Sequence, residues 1–156
     1  MPAGLLNHQA RLSLESRFEN IEVAERVLLE ILRGSQTDAD QQYWLLTALR
    51  EAVANAVRHG SRGDFKNRVR LGVNLCETKL TIFVRDQGPG FDSEAIPDPT
   101  EQQNLLRPSG RGIFYMRRFM DAVDFTQAPG GGTLVTMSRN LERGPDKETR
   151  NEKSDS

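Results

Sequence analysis

Three polar residues at helical spacing open the chemistry of this 156-residue chain: Glu51, Asn55 and His59, in the run Glu51-Ala-Val-Ala-Asn55-Ala-Val-Arg-His59. A spacing of four places them on one helix face, beside an apolar stripe that includes Ala52 and Ala56. The carboxamide oxygen of Asn55 is a hard donor suited to Mg2+, an ion that keeps several waters and takes few protein ligands beside phosphates. Glu51, one turn earlier, is placed to accept a proton from a hydroxyl or a water attacking a terminal phosphate. A solvated polar helix face accounts for the same spacing.

A second group is Val84-Arg-Asp86-Gln-Gly88-Pro-Gly90-Phe-Asp92. Leu80, Ile82 and Val84 share one strand face, and the same parity turns Asp86 toward the apolar side, where a carboxylate needs a partner. There it can accept a hydrogen bond from the exocyclic amine of adenine, while Gly88 and Gly90 let backbone approach a nucleotide. A tight turn after a strand is the plainer reading of these residues. In Pro108-Ser-Gly110-Arg111-Gly112-Ile, glycines open a helix. Its free N–H groups and positive dipole end suit phosphate, with Arg111 adding a cation; a hinge with an N-cap explains the glycines equally. Finally, Gly131-Gly132-Thr133 begins the last strand, where the Thr133 hydroxyl can reach a ligand or the residues simply make a hairpin turn.

The elements that must position these groups follow from periodicity. Residues 10–16 alternate as a short strand, and Ser16 with Glu19 forms a capping-box pattern opening a helix through Phe18, Ile21, Ala24, Leu28 and Ile31 to Gly34. A second helix starts near Thr37 or Asp38, where Thr37 and Asp40 repeat the cap signature, and runs to Gly60. The Arg62-Gly-Asp64 tripeptide is read as a turn. Val69, Leu71, Val73 and Leu75, then Leu80, Ile82 and Val84, mark two adjacent antiparallel strands. Residues 87–109, rich in Gly and Pro, form a long loop suited to a lid. A third helix from about Gly110 carries Ile113, Met116 and Met120 on one face, and strands at 122–126 and 133–138 flank a turn on Pro129–Gly132. One domain over residues 10–139 and a charged, disordered tail over 140–156 are expected.

Composition narrows the function. Lys and Arg number 21 against 22 Asp and Glu, a net charge of −1, which argues against a direct nucleic-acid binder held by bulk charge and against a polybasic membrane binder. The lone Cys76 excludes an internal disulfide and a Cys-based zinc cage. With no signal-like start and no apolar run of membrane length, a soluble cytoplasmic protein is expected. A P-loop, a complete dinucleotide fingerprint and a His-Arg-Asp catalytic loop are all missing.

Taken in order, E-x-x-x-N, D-x-G-x-G, G-x-G and G-T resemble the nucleotide-binding superfamily of GyrB, Hsp90, histidine kinases and MutL. More closely, residues 51–60, 84–92 and 109–121 resemble the small anti-sigma-factor serine kinases of the RsbW and SpoIIAB type. The resemblance covers residues 10 to about 139. It implies an α+β fold, the Bergerat two-layer α/β sandwich, with helices on one face of a mixed, mostly antiparallel sheet. It further implies ATP and Mg2+, with Asn55 on the metal, Glu51 as general base, Asp86 on adenine, Gly88 and Gly90 shaping the pocket, Gly110, Arg111 and Gly112 on the polyphosphate, and Thr133 on the adenine side. His59 either approaches the phosphates or is a structural helix-end histidine. The implied substrate is a serine or threonine of a STAS-domain anti-sigma antagonist, with a sigma factor as second partner and a homodimer as the assembly. The alternatives are a histidine-kinase catalytic domain acting in trans, for which neither His8 nor His59 sits on a dimerising helix pair, and a non-catalytic ATP-gated binding module.

Overall fold

Alternation of period two builds the sheet. On β2 (Arg68–Cys76) and β3 (Lys79–Arg85), Val69, Leu71, Val73, Leu75, Leu80, Ile82 and Val84 are all sealed from solvent. A computed structural model describes residues 7–61, 67–88 and 108–141. Within them β2 and β3 form a hairpin, β1 (Asn7–Glu15) pairs with β2, and β5 (Thr133–Asn140) pairs with β3 and with β4 (Ala122–Gln127). The order is β1-β2-β3-β5-β4, and all four pairings are antiparallel.

The helices lie against one face of this sheet. α1 (Ile21–Leu32) buries Ala24, Leu28, Ile31 and Leu32, and α2 (Ala39–Ser61) buries Leu45, Leu49, Ala52, Val53 and Ala56 at helical spacing. α3 (Pro108–Phe119) adds Ile113 and Met116, with Met120 just beyond it. These side chains and the inward residues of β2, β3 and β5 form one core cluster. α2 is the central helix, touching α1, α3 and the sheet. Trp44 of α2 stacks on Phe119 of α3 with ring centroids 4.2 Å apart, and Arg50 of α2 meets Glu25 of α1 at 2.9 Å. The hydrogen bond that the Arg50 guanidinium donates to the Glu25 carboxylate raises the Arg50 pKa above its ordinary value.

Two caps differ from the sequence expectation. Ser16 does not cap a helix: its backbone N–H donates to Asn67 O (3.1 Å), and its buried hydroxyl has no partner among the described residues. A single 3-10 turn, Phe18–Asn20, intervenes before α1, and the Asn20 side chain donates back to the Glu15 carbonyl at 2.8 Å. The chain must leave the edge strand and climb to the helical layer there, and this turn achieves the change of direction. At α2 the capping box sits one residue later than Thr37 and Asp40: Gln41 N–H donates to Asp38 Oδ1 (2.8 Å) and Asp38 N–H to Gln41 Oε1 (3.2 Å).

α3 begins at Pro108 rather than at Gly110, with proline at the first helical position, where its missing N–H costs nothing. The tripeptide turn at 62–64, most of the expected lid (89–107) and the tail from 142 fall outside the described residues. Among the described residues no helix is long and apolar enough to cross a membrane.

Candidate functional site

The start of β2, the end of β3 and the start of β5 meet at one end of the sheet, because Arg70 pairs with Arg85 and Arg85 with Leu134. α2 ends only a few residues before β2 begins, so its last turns reach that same end. Topology thus carries Glu51, Asn55 and His59 toward Asp86 and Thr133.

Asp86 emerges from β3 on the covered face and is 6% exposed. The partner its burial demands is backbone: Oδ1 accepts the N–H of Gly88 (2.9 Å) and the N–H of Thr133 (3.1 Å). The Asp86 N–H in turn donates to the Thr133 carbonyl (3.0 Å), closing the β3–β5 ladder. Both bonds fall on Oδ1, and Oδ2 takes none among the described residues. The carboxylate is therefore oriented by one oxygen and presents the other. Gln87 faces away and accepts the Arg68 N–H through Oε1 (2.8 Å), which fastens the turn to β2.

Gly132 explains how the two strands come so close. Its φ is +90°, and a Cβ there would stand 2.0 Å from the Asp86 carbonyl oxygen. Only glycine fits this approach. Thr133, 3% exposed, spends both backbone groups on Asp86, and its hydroxyl makes no hydrogen bond among the described residues.

On α2, Glu51 and Asn55 are half-buried beside the sealed Ala52, Val53 and Ala56, while His59 is exposed in the last turn. Asn55 Oδ1 is completely covered and has no hydrogen-bond partner among the described residues. Such an orphan acceptor costs about 1–3 kcal/mol and calls for an explanation. A cation or a donor supplied by a ligand would satisfy it. Among the described residues no three His, Cys, Asp or Glu side chains gather to hold a metal, and Asn55 Oδ1 shares its lack of a partner with two buried oxygens elsewhere, Ser16 Oγ and Asn74 Oδ1; of the three it is the one on the helix face that carries Glu51.

Glu51 reaches across to α3. A Cβ placed on Gly112 would stand 2.6 Å from Glu51 Oε2, so the carboxylate rests directly against that glycine's backbone. This contact was not legible in the sequence, where Gly112 had only the neighbouring Gly110 to suggest a phosphate loop. With α3 starting at Pro108, the backbone N–H groups of Ser109, Gly110 and Arg111 belong to the first turn, which lacks intrahelical acceptors. The Arg111 side chain and Gly90 lie outside the described residues.

The structure therefore brings Asp86, Gly88 and Thr133 into one bonded unit, sets Glu51 against Gly112, and leaves Asn55, one helical turn after Glu51, without a partner among the described residues. A charge-oriented acceptor at one side, a helix N-terminus at another and a hard oxygen donor near a carboxylate suit a nucleotide with its phosphates.

Comparison with known proteins agrees in class. The family model for the histidine kinase-like ATPase domain matches residues 14–139, and the chain belongs to that family. Among curated relatives, the anti-sigma F factor of Clostridium beijerinckii is 31% identical over 134 residues, covering 83% of this chain and 93% of the relative. That of Oceanobacillus iheyensis is 28% identical over 141 residues, covering 88% and 96%. Of solved structures, the RsbU and RsbW domains of a Mycobacterium tuberculosis protein superpose with a TM-score of 0.61 at 18% identity, over 85% of this chain and 32% of that one. The SiaB-SiaC complex of Pseudomonas aeruginosa gives 0.50 at 14% identity, over 83% and 88%. These two likenesses are of fold.

Proposed function

We propose that this protein is a cytoplasmic anti-sigma regulator that binds ATP with Mg2+ and phosphorylates a serine or threonine of a STAS-domain antagonist, exchanging that partner for a sigma factor. The observation that carries the reading is the buried Oδ1 of Asn55, unpartnered among the described residues and one helical turn from Glu51. The names of its anti-sigma F relatives support the regulatory part.

In this reading Asp86 Oδ2 accepts the adenine amino group while Oδ1 stays clamped by the Gly88 and Thr133 amides. The Thr133 hydroxyl serves the same side of the base. Gly88 and Gly90 leave room for the base and ribose. The first-turn amides of α3 at Gly110 and Arg111, with the positive end of the helix, hold phosphate oxygens, and Gly112 admits Glu51 to their neighbourhood. Asn55 Oδ1 would hold Mg2+, which when bound would neutralise charge on the phosphates. His59, exposed at the helix end, lies on the phosphate side. Glu51 takes the proton from the substrate hydroxyl as that oxygen bonds to the γ-phosphorus and the bond to the β–γ bridging oxygen breaks, leaving ADP.

The test is phosphorylation of a STAS-domain antagonist by the purified protein with ATP and Mg2+, read by mapping phosphoserine or phosphothreonine. Glu51→Gln is expected to lose at least about a hundredfold in rate with nucleotide affinity retained. Phosphohistidine on the partner, or full activity in Glu51→Gln, overturns the assignment; tight ATP binding with no transfer to any partner leaves a nucleotide-gated binding module instead.

A further inference from the structure

The face of the sheet away from the helices is open, and its charges are unevenly placed. Across it, Arg11 of β1 stands opposite Gly72 of β2, and Gly72 opposite Phe83 of β3. In the next row Arg70 stands directly opposite Arg85. Like charges in directly opposed cross-strand positions destabilise a sheet. Arg85 donates to the Pro129 carbonyl (2.5 Å), whereas Arg11 and Arg70 make no ion pair or hydrogen bond among the described residues. Arg68 on the same face is held by Ser13 through its hydroxyl (3.0 Å) and carbonyl (2.8 Å).

The arginines surround an apolar hollow. Gly72 has no side chain, and the Phe83 ring leans over it, its Cδ2 3.3 Å from where a Cβ would be. Phe83 is nevertheless 39% exposed. Together with Leu134 these residues line a shallow depression of about 710 Å3. The carboxylates of this face offer no counterweight: Glu15 is engaged by Arg17 at 2.9 Å, and Asp124 lies on β4 beyond β5. In a chain whose net charge is −1, the positive surplus here is local.

We propose that this open face docks an acidic protein segment that sets an apolar side chain over Gly72 against Phe83 and places carboxylates on Arg11, Arg70 and Arg85. The occupant follows from charge complementarity, since the guanidiniums of Arg11 and Arg70, and the donors of Arg85 not spent on Pro129, fork naturally onto carboxylates. A second copy related by a two-fold axis through the Gly72 hollow would bring the arginines of the two copies together. A nucleic acid strand is read by several stacking rings along a basic track, and Phe83 is the only aromatic side chain on this face among the described residues. The surface is independent of the nucleotide reading.

The full chain is titrated with a short fluorescein-labelled peptide of glutamates around a central leucine, by anisotropy and by amide chemical shifts. Shifts are expected at Arg11, Arg70, Gly72, Phe83 and Arg85, with affinity falling as salt rises. Arg70→Glu and Arg85→Glu are each expected to weaken binding about tenfold or more, and Arg70→Lys to keep most of it. Arg70→Ala is expected to melt no lower than the parent while binding more weakly, which separates docking from folding. Equal binding of an all-glutamine peptide, shifts confined to other surfaces, or no change in Arg70→Glu overturns the proposal. So does displacement of the peptide by oligothymidine, which makes the face a nucleic-acid surface, or self-association abolished by Arg70→Glu, which makes it a contact between copies.

Discussion

The two sides of the candidate site are built on opposite principles. On the sheet side, Asp86, Gly88, Gly132 and Thr133 satisfy one another through backbone hydrogen bonds and a close approach that only glycine permits. On the helical side, Asn55 Oδ1 is buried without a partner among the described residues and Glu51 is pressed against Gly112. The sheet side is held in place by its own backbone bonds and, in the proposed reading, is a recognition surface formed before any ligand arrives. The helical side carries an unmet need that a ligand would fill. Adenine recognition asks for fixed geometry, whereas charge transfer asks for groups whose electrostatic demand is met only with the phosphates in place.

The sharpest way to break this contrast is Gly132→Ala. A methyl 2.0 Å from the Asp86 carbonyl, at a φ of +90°, must push the two strands apart. A loss on the order of 3 kcal/mol or more is expected in denaturant unfolding, together with loss of nucleotide binding. Wild-type stability would show that the sheet side is not tightly determined.

Asp86 comes next. Asp86→Ala strands the N–H groups of Gly88 and Thr133, at roughly 1–3 kcal/mol for each buried donor left unpaired. Asp86→Asn can keep an oxygen toward both amides, so it should retain most of the fold while losing adenine preference, measured as ATP against GTP affinity. Equal destabilisation by both variants would mean that the charge, and not the acceptor, orders the turn.

Asn55→Leu probes the other side and is expected to act in the opposite sense. Removing a buried orphan acceptor in favour of an apolar group of similar size should raise unfolding free energy by about 1 kcal/mol while abolishing Mg2+-dependent nucleotide binding. A destabilised variant would show that Asn55 is satisfied in the free protein. The smallest stability change belongs to Gly112→Ala, because Oε2 is the mobile end of a side chain and can swing aside at a cost of less than about 1 kcal/mol. Phosphoryl transfer should nevertheless fall several-fold with nucleotide affinity unchanged, since the displaced group is the proposed base.

Much of the architecture was open to local reading. Period-two alternation marked β2 and β3 together with their buried faces, and the stripe from Leu45 to Ala56 marked α2. The parity argument for Asp86 held as well, and it named the requirement for a partner without naming the partner. Caps were less legible: Ser16 carries the pattern of a capping residue, yet it is committed to Asn67, a residue far along the chain. The like-charge pair Arg70 and Arg85 was equally hidden, because it exists only once β2 and β3 are in register.

By itself the sequence determined the type and extent of the elements, the covered face of each strand, and the set of residues with chemical potential. Those properties depend on neighbours one to four positions away, and side-chain periodicity encodes them directly. Only the tertiary structure decided that Thr133 N–H meets Asp86 across 47 positions, that Glu51 rests on Gly112, and that Asn55 is left unsatisfied. Each of these depends on which strands pair and how α2 and α3 pack, a balance of core burial and loop closure over the whole domain that no local window of residues contains.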